Sequence, residues 1–220
     1  MVINGLARQM PIRECILVKE SCPWCTATPD YIRYHNEEWG VPSDDDSIHF
    51  EFLVLESAQA GLSWLTILKK REGYRKAFAN FNPRNVAAFD DAMINTLMAD
   101  SSIVRNRLKI ATTITNAQYF LIIQQEYGSF ARYMWSYFCN TPIQNSWKTM
   151  AEVPATSKES DQISKDLKKR GFKFFGSTIC YAYLQALGFT NDHLVTCPRH
   201  QACKKLANDF RPHWLEYQQR

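Results

Sequence analysis

A short stretch of the sequence brings an acid, an amide and an indole together around a glycine. It reads Glu56-Ser-Ala-Gln-Ala-Gly-Leu-Ser-Trp64 and follows an apolar pattern with helical spacing. A carboxylate accepts hydrogen bonds from amino groups, and an indole face stacks on flat rings and attracts cations. The stretch therefore favours a ligand pocket, although the end of a buried helix would show the same pattern.

Aromatic residues precede this stretch in unusual density. Trp24, Tyr31, Tyr34 and Trp39 lie within one short segment, and the spacing of the two tyrosines places them on one side of a helix. Two interpretations stay open: the rings stack on a flat, cationic base, or they belong to the packed core.

Four thiol and imidazole side chains are candidates for a closed tetrahedral zinc site. His193 and Cys197 are four residues apart, so a helix would direct both side chains the same way, and Cys22 and His35 supply a further thiol and imidazole. Two Cys and two His are a usual ligand set for structural zinc. Such a site would join the N-terminal segment to the C-terminal region.

Other cysteines compete for the same metal. Cys25 forms a CxxC with Cys22, and Cys203 with Cys197 would complete a four-thiolate site. His200 lies within that second cluster. A redox CxxC is the weakest interpretation, because no thioredoxin-like βαβ pattern surrounds it. Two unrelated pairs are the remaining alternative.

Basic residues occur in three runs. Such runs are usually solvated faces, but they suit a DNA backbone if the fold gathers them on one surface. The runs are Lys69 to Arg71, then Arg105, Arg107 and Lys109, then Lys168, Lys169, Arg170 and Lys173.

Helices must position these side chains. Caps and stops predict them over Thr28 to Gly40, Asp44 to Ala60, Ser63 to Phe78, Asn82 to Phe89, Asp91 to Met98, Arg105 to Gly128 and 130–139. Next, Thr156 to Glu159 has the capping-box form, with Ser160 as an alternative cap. The helix that follows closes at Gly171, and a short hairpin leads to a helix over Ser177 to Leu187. This predicts an all-α fold in one or two lobes with a helix-hairpin-helix element at about 160–187.

Length and composition set the remaining bounds. The chain has 220 residues, a net charge of +4 and 45% hydrophobic residues, which is ordinary for a globular protein and permits a nucleic-acid partner. It shows neither a membrane-spanning run nor an apolar signal core, so a soluble, cytoplasmic protein is expected. Residues 1–20 and 200–220 are interpreted as extensions of a domain over 21–199.

Several motifs, taken together, resemble the DNA-3-methyladenine glycosylase I family of the helix-hairpin-helix glycosylase superfamily. They occur in order from about residue 21 to 198. They are Cys22-Pro-Trp24, Tyr31-Ile-Arg-Tyr-His-Asn-Glu-Glu-Trp-Gly-Val-Pro42, Glu56 to Trp64, Leu167 to Thr178, Asn191-Asp-His193 and Cys197. One departure is Ser102, which stands before Ile103 where the family usually has Gly.

The resemblance implies a role for particular residues. It implies a structural zinc bound by Cys22, His35, His193 and Cys197. It places base recognition on Glu56, the catalytic candidate, and on Tyr34 and Trp64, with Tyr31 nearby. It puts Ala60, Gly61 and Leu62 on a loop that probes the duplex. It assigns binding of the DNA backbone to the hairpin, together with Lys168, Lys169, Arg170 and Lys173.

The expected activity is excision of 3-methyladenine from alkylated double-stranded DNA by a monomeric enzyme that does not cut the strand. A flipped base leaves a gap that an apolar tip such as Leu62 fills. Asp192 is expected to cap a His193 helix or to orient His193 toward the metal, and less readily to act in catalysis. The alternative is a zinc-stabilised module that binds DNA damage without catalysis.

Overall fold

The computed structural model describes residues 21–216, and within this range the chain is mostly helical. The expectations for residues 1–20 lie outside the described residues. The α-helices are α1 (Pro29–Glu37), α2 (Asp46–Gln59), α3 (Trp64–Ala77), α4 (Pro83–Ala87), α5 (Asp91–Ala99), α6 (Arg107–Tyr127), α7 (Phe130–Ser136), α8 (Lys158–Arg170), α9 (Ser177–Ala186), α10 (Pro198–Asp209) and α11 (His213–Glu216). Single 3-10 turns cover Pro23–Cys25, Ala79–Phe81 and Met150–Glu152. Strands β1 (Ile143–Gln144) and β2 (Thr190–Asn191) pair in parallel, with Ile143 opposite Thr190.

The helices begin at side-chain caps close to those predicted from the sequence. Thr28 Oγ1 accepts the Tyr31 N–H at 3.2 Å and Ser63 Oγ accepts the Thr66 N–H at 3.2 Å. At the C-terminal end of α8, Gly171 has φ +108°, and a Cβ there would lie 2.3 Å from the Tyr119 ring. Only glycine fits this position, so the turn into the hairpin depends on it.

The start of α8 differs from the prediction. Its N-cap is Ser157, and neither Thr156 nor Ser160 caps it. Ser160 instead closes the capping box: its buried Oγ accepts the Ser157 N–H at 2.8 Å. Serine therefore takes the place that Glu or Gln usually holds, because a short hydroxyl fits this buried position.

Helix α2 is buried on all sides. Each residue from His49 to Ala58 is buried, although an apolar pattern with helical spacing usually indicates a single buried face. Ile48 is exposed. Helices α3, α6, α7 and α9 all pack against α2, so even its polar residues are enclosed. Glu56 is one of these enclosed polar residues.

Arg71, in the first basic run, belongs to an ion-pair network. The sequence predicted a solvated side chain at this position, and this prediction is wrong. Its side chain is only 16% exposed. It donates to Glu38 and to Glu51, both at 2.7 Å, and its guanidinium lies over the Phe52 ring. The network ties α1 to α2 and α3, the three helices that carry the aromatic side chains of the Glu56 region.

The turn that contains Ser102 passes over α3. Asp100 Oδ1 accepts the Ser102 N–H at 2.7 Å, as in an Asx turn. A Cβ at Gly73 would lie 2.4 Å from the Ser102 carbonyl oxygen. The close approach that this turn requires is therefore supplied by a glycine on α3.

The C-terminal helices pack onto the rest of the molecule. The Trp214 side chain is buried and donates to Asn140 Oδ1 at 3.2 Å, and the Phe210 ring lies 4.6 Å from that of Trp135. The predicted domain end at residue 199 lies within α10. None of the helices in residues 21–216 is long and apolar enough to cross a membrane.

Candidate functional site

A cavity of about 300 Å³ opens between α1, α2, α9 and the loop that carries the Met150–Glu152 turn. Most of its wall is aromatic or apolar, with a few polar groups. The lining residues are Trp24, Tyr31, Tyr34, Trp39, Glu56, Gln59, Trp64, Met150, Val153, Pro154, Ala182, Gln185 and Asp192. All four residues predicted to recognise a base lie in this wall.

Glu56 brings an unpaired carboxylate oxygen to the cavity. It lies in the last turns of α2 and is 3% exposed, and its Oε2 has no hydrogen-bond partner among the described residues. Burial raises its pKa to about 8, because the charged form loses its hydration. The Trp64 indole N–H is also buried without a partner in residues 21–216. A ligand that offers a donor to Glu56 and an acceptor to Trp64 would satisfy both.

The aromatic rings serve both the core and the cavity. Tyr34 and Trp64 have ring centroids 5.3 Å apart, and Phe52 stacks behind them at 6.3 and 6.2 Å. The Trp24 ring lies 5.1 Å from Tyr31 and 5.0 Å from Trp39. Because the rings contact one another and also line the cavity, the same residues belong to the packed core and to the cavity wall.

The burial of Glu56 leads to a prediction about stability and pH. The folded protein keeps a proton on Glu56 up to about pH 8, whereas the unfolded chain loses it near the ordinary value of 4.5. The free energy of unfolding should therefore fall as pH rises through this window and level off above it. Glu56→Gln removes this dependence, so it should be more stable than the native chain at pH 9 by on the order of a few kcal/mol. Urea unfolding of both proteins at pH 5, 7 and 9 measures the difference, and equal pH slopes would contradict the assignment.

Asp192 is held by a dense set of hydrogen bonds between the cavity and β1. Its Oδ2 accepts from the Tyr181 hydroxyl at 2.6 Å and Gln185 at 2.8 Å, and its Oδ1 accepts from Asn145, Trp147 and Thr190 at 2.6 to 3.1 Å. The expected His193 helix does not exist, since 192–197 is a loop and α10 begins at Pro198. Asp192 therefore caps no such helix. The oxygen that orients His193 is the Trp39 carbonyl, 3.1 Å from Nε2.

Part of the cavity wall comes from residues that the sequence motifs did not indicate. Met150, Val153 and Pro154 come from the segment between two of the predicted helices, and Ala182 and Gln185 come from α9. In the sequence, the local signal was Met150, an apolar residue between Pro142 and Pro154. Gln59 and Asp192, whose participation the sequence left open, both line the cavity.

Next to the cavity, Cys22, His35, His193 and Cys197 form a buried cluster whose ligand atoms all lie within 4.8 Å of one another. Cys22 Sγ and Cys197 Sγ are each 3.8 Å from His193 Nδ1. His35 Nε2 lies 3.7 Å from Cys197 Sγ and 3.1 Å from His193 Nδ1. In tetrahedral zinc sites, bond lengths of about 2.3 Å to S and 2.0 Å to N imply about 3.5 Å between S and N and about 3.3 Å between two N atoms. The cluster thus fits a tetrahedral metal ion.

The surroundings prepare these side chains to be ligands. The second ring nitrogen of His193 donates to the Trp39 carbonyl, and that of His35 faces Asn36 Oδ1 at 2.8 Å, which directs the lone pairs of both rings inward. A hydrogen bond from Cys22 lowers the pKa of Cys197, and bonds from the two imidazoles add to this effect. Gly40, with φ +82°, lets the backbone pass His193: a Cβ there would be 3.1 Å from Nε2.

The alternative metal ligands lie outside this cluster. Cys25 Sγ donates to the Cys22 carbonyl, Cys203 packs against Arg199, and His200 Nε2 bonds the Asn145 carbonyl. His193 and Cys197 converge although no helix carries them. A turn, closed by the Cys197 N–H on the Leu194 carbonyl at 2.8 Å, brings them together.

The predicted DNA-contacting residues lie on two surface features. Gly61 has φ +78° with open space around it, and Leu62 next to it is 40% exposed. On the hairpin, Lys168, Lys169 and Lys173 are exposed, and Asn116 fixes the Lys173 backbone through its N–H and carbonyl. Arg170 instead pairs with Glu126 at 2.6 Å and lies over the Tyr133 ring.

The model of the methyladenine glycosylase family matches residues 24–200, which contain the cavity, most of the metal cluster and the hairpin. The chain belongs to this family. DNA-3-methyladenine glycosylase 1 of Escherichia coli is 46% identical over 178 residues, which cover 81% of this chain and 95% of that protein. The DNA-3-methyladenine glycosylase of Haemophilus influenzae is 42% identical over 177 residues, 80% of this chain and 96% of that protein.

A solved structure of the same methyladenine glycosylase family matches the fold with a TM-score of 0.79. It is a tyrosine-to-phenylalanine variant of 3-methyladenine DNA glycosylase I in complex with 3-methyladenine. It is 40% identical to this chain, and the match covers 81% of this chain and 96% of that chain. The family resemblance drawn from the motifs is thus confirmed.

Proposed function

We infer that this protein is a DNA repair glycosylase that flips 3-methyladenine out of alkylated double-stranded DNA and hydrolyses its glycosidic bond. One observation carries the proposal: a buried carboxylate oxygen of Glu56 faces an aromatic cavity without a hydrogen-bond partner among residues 21–216. Membership in the methyladenine glycosylase family supports the reaction class.

The charge of the base explains how the cavity selects it. N3-methylation leaves adenine cationic, so its glycosidic bond is already weak and the enzyme has to recognise the base more than activate it. Tyr34 and Trp64 stack on the cation, with Tyr31 at the edge, and Glu56 accepts from its amino group. A cation beside Glu56 favours the carboxylate, whereas neutral adenine leaves the desolvated acid without a counter-charge.

Flipping needs contacts on the DNA side of the cavity. Unstacking a base costs about a few kcal/mol, and an apolar side chain inserted into the gap offsets this cost. Ala60, Gly61 and Leu62 form the probing loop, with the exposed Leu62 as its tip. Lys168, Lys169 and Lys173 bind the phosphates beside the hairpin. Arg170 forms an ion pair with Glu126 and stabilises this surface.

The reaction is proposed to stop at base removal. Strand cleavage by a glycosylase requires an amine that forms a Schiff base. None of the side chains that line the cavity in the described part of the chain is a lysine. Water is then the nucleophile, and the product is an abasic site in an intact strand.

The proposal includes a structural zinc ion bound by Cys22, His35, His193 and Cys197. Its four protein ligands would close the coordination sphere, so the ion would stabilise the fold and take no part in the chemistry. It would tie the segment before α1, beside Trp24 in the cavity wall, to the loop after β2. A monomeric, cytoplasmic enzyme completes the proposal, with a two-lobed domain that begins at about residue 21 and includes the C-terminal helices.

Base release from methylated duplex DNA tests the proposed function. We expect free 3-methyladenine in the supernatant, detected by chromatography, and strands that break only after alkali treatment. Unmethylated duplex is the control and should release nothing. Tight binding of methylated DNA without base release would instead favour a zinc-stabilised damage-binding module without catalysis.

A further inference from the structure

The side chain of Lys109 reaches from α6 to the end of α2, where the probing loop begins. Its Nζ donates to the Ala58 carbonyl at 2.8 Å and to the Ala60 carbonyl at 2.6 Å. The last carbonyls of a helix have no partner within the helix, and a cation is favourable beside them. Lys109 therefore satisfies two acceptors at the point where α2 gives way to the loop.

The position of Lys109 in its own helix is unfavourable for a cation. It lies in the first turn of α6, where Asn106 Oδ1 accepts its backbone N–H at 3.0 Å. The partial positive charge of the helix N-terminus disfavours an ammonium group there. The contacts that compensate for this arrangement are the two carbonyls of the neighbouring segment. Lys109 is also half-buried, unlike its exposed neighbours Arg107 and Leu108.

The loop that Lys109 holds has few other constraints. The Leu62 N–H donates to the Gln59 carbonyl at 2.6 Å and closes the turn. A Cβ at Gly61 would touch nothing within 4 Å, and Leu62 projects into solvent. The outer side of this loop has no packing, so the contacts at the point where it leaves α2 must hold its shape. Lys109 supplies two of these contacts, one on each side of Gln59.

We propose that Lys109 is a positioning residue that holds the Ala60–Gly61–Leu62 loop in the conformation needed to insert Leu62 into the duplex. The proposal rests on the proposed function, since it assigns Lys109 to the flipping step of that reaction. Lys109 touches neither the base nor the reacting bond, and it acts through Leu62. The basic run at the start of α6 therefore contains a residue whose charge is directed at the protein and not at the DNA.

A double-mutant cycle tests this role. Lys109→Met keeps the length of the side chain but removes both hydrogen bonds, and we expect kcat/KM on methylated duplex DNA to fall roughly tenfold to a hundredfold. In a Leu62→Ala background the same change should have almost no further effect, because the tip that Lys109 positions is absent. Binding of free 3-methyladenine, followed by tryptophan fluorescence, should be the same in Lys109→Met and the native protein.

Controls separate anchoring from simple charge loss. Arg107→Met removes a positive charge from the same helix end, but Arg107 donates to Asn95 and not to the loop, so its effect should be additive with Leu62→Ala. An equal loss from Lys109→Met in both backgrounds, or no loss in either, would overturn the proposal.

Amide exchange provides a readout that does not require catalysis. Without the anchor, the Leu62 amide should exchange faster by about tenfold or more in Lys109→Met, because local opening becomes easier. If the native protein released no base, the proposed function would fail, but faster Leu62 exchange would still support the anchor. Unchanged exchange at Leu62 would refute the anchor whatever the activity.

Discussion

Replacing Glu56 by glutamine should lower the rate of 3-methyladenine release from duplex DNA by about ten- to a hundredfold. Glutamine has the same shape and keeps one acceptor oxygen, but it cannot carry the negative charge that faces the cationic base. The aromatic wall and the probing loop are unaffected, so damaged DNA should still bind. Single-turnover release with enzyme in excess measures this step directly.

The Glu56 prediction has a matched control. Glu37→Gln removes the same charge from an exposed position in the last turn of α1, and its release rate should equal that of the native protein. The Glu56→Gln variant should also unfold cooperatively, because glutamine resembles the protonated acid that the folded protein holds below about pH 8. Native-like release by Glu56→Gln would remove Glu56 from the mechanism.

The second large effect is expected from removal of a metal ligand. His193→Ala should abolish stoichiometric zinc binding and destabilise the protein by several kcal/mol, because the affinity for a structural zinc ion contributes directly to folding stability. The change also leaves two thiols and an imidazole buried around a hole. Elemental analysis of the purified protein, together with thermal unfolding with and without a chelator, measures both effects.

His200→Ala is the control for a buried histidine outside the metal cluster. His200 is buried and bonded to the Asn145 carbonyl, so its loss should reduce stability while one zinc ion per chain is retained. Chelation should then lower the melting temperature of the native protein and of His200→Ala, but not of His193→Ala. One zinc ion per chain in His193→Ala, or none in the native protein, would refute the proposed ligand set.

Local signals predicted most of the helices. Thr28 and Pro29 predict the start of α1, and Gly171 predicts the end of α8, because caps and left-handed turns depend on a few neighbouring residues. At the start of α8, Thr156 and Ser157 both offer a hydroxyl as the N-cap, and burial decides which of them caps the helix. Ser160 is buried against Ser177 on α9, and this contact is invisible in the local sequence.

The metal cluster shows a different limit. Spacing alone left several ligand sets open, and it suggested a helix for His193 and Cys197 that does not exist. The family motifs selected four residues, and the fold brings those four within 4.8 Å. The distances separate them from Cys25, His200 and Cys203 because those side chains bond to other groups nearby.

By itself, the sequence determined the helical architecture, the family and most of the acidic and aromatic residues that line the cavity, since these depend on local patterns and long motifs. Only the tertiary structure decided which side chains share an environment. It enclosed Glu56 so that its pKa rises, added Met150 and Val153 to the wall, and joined Lys109 to the stretch that ends at Trp64. These contacts join residues far apart in the chain, and desolvation depends on everything packed around a group, so neither leaves a periodic trace in the sequence.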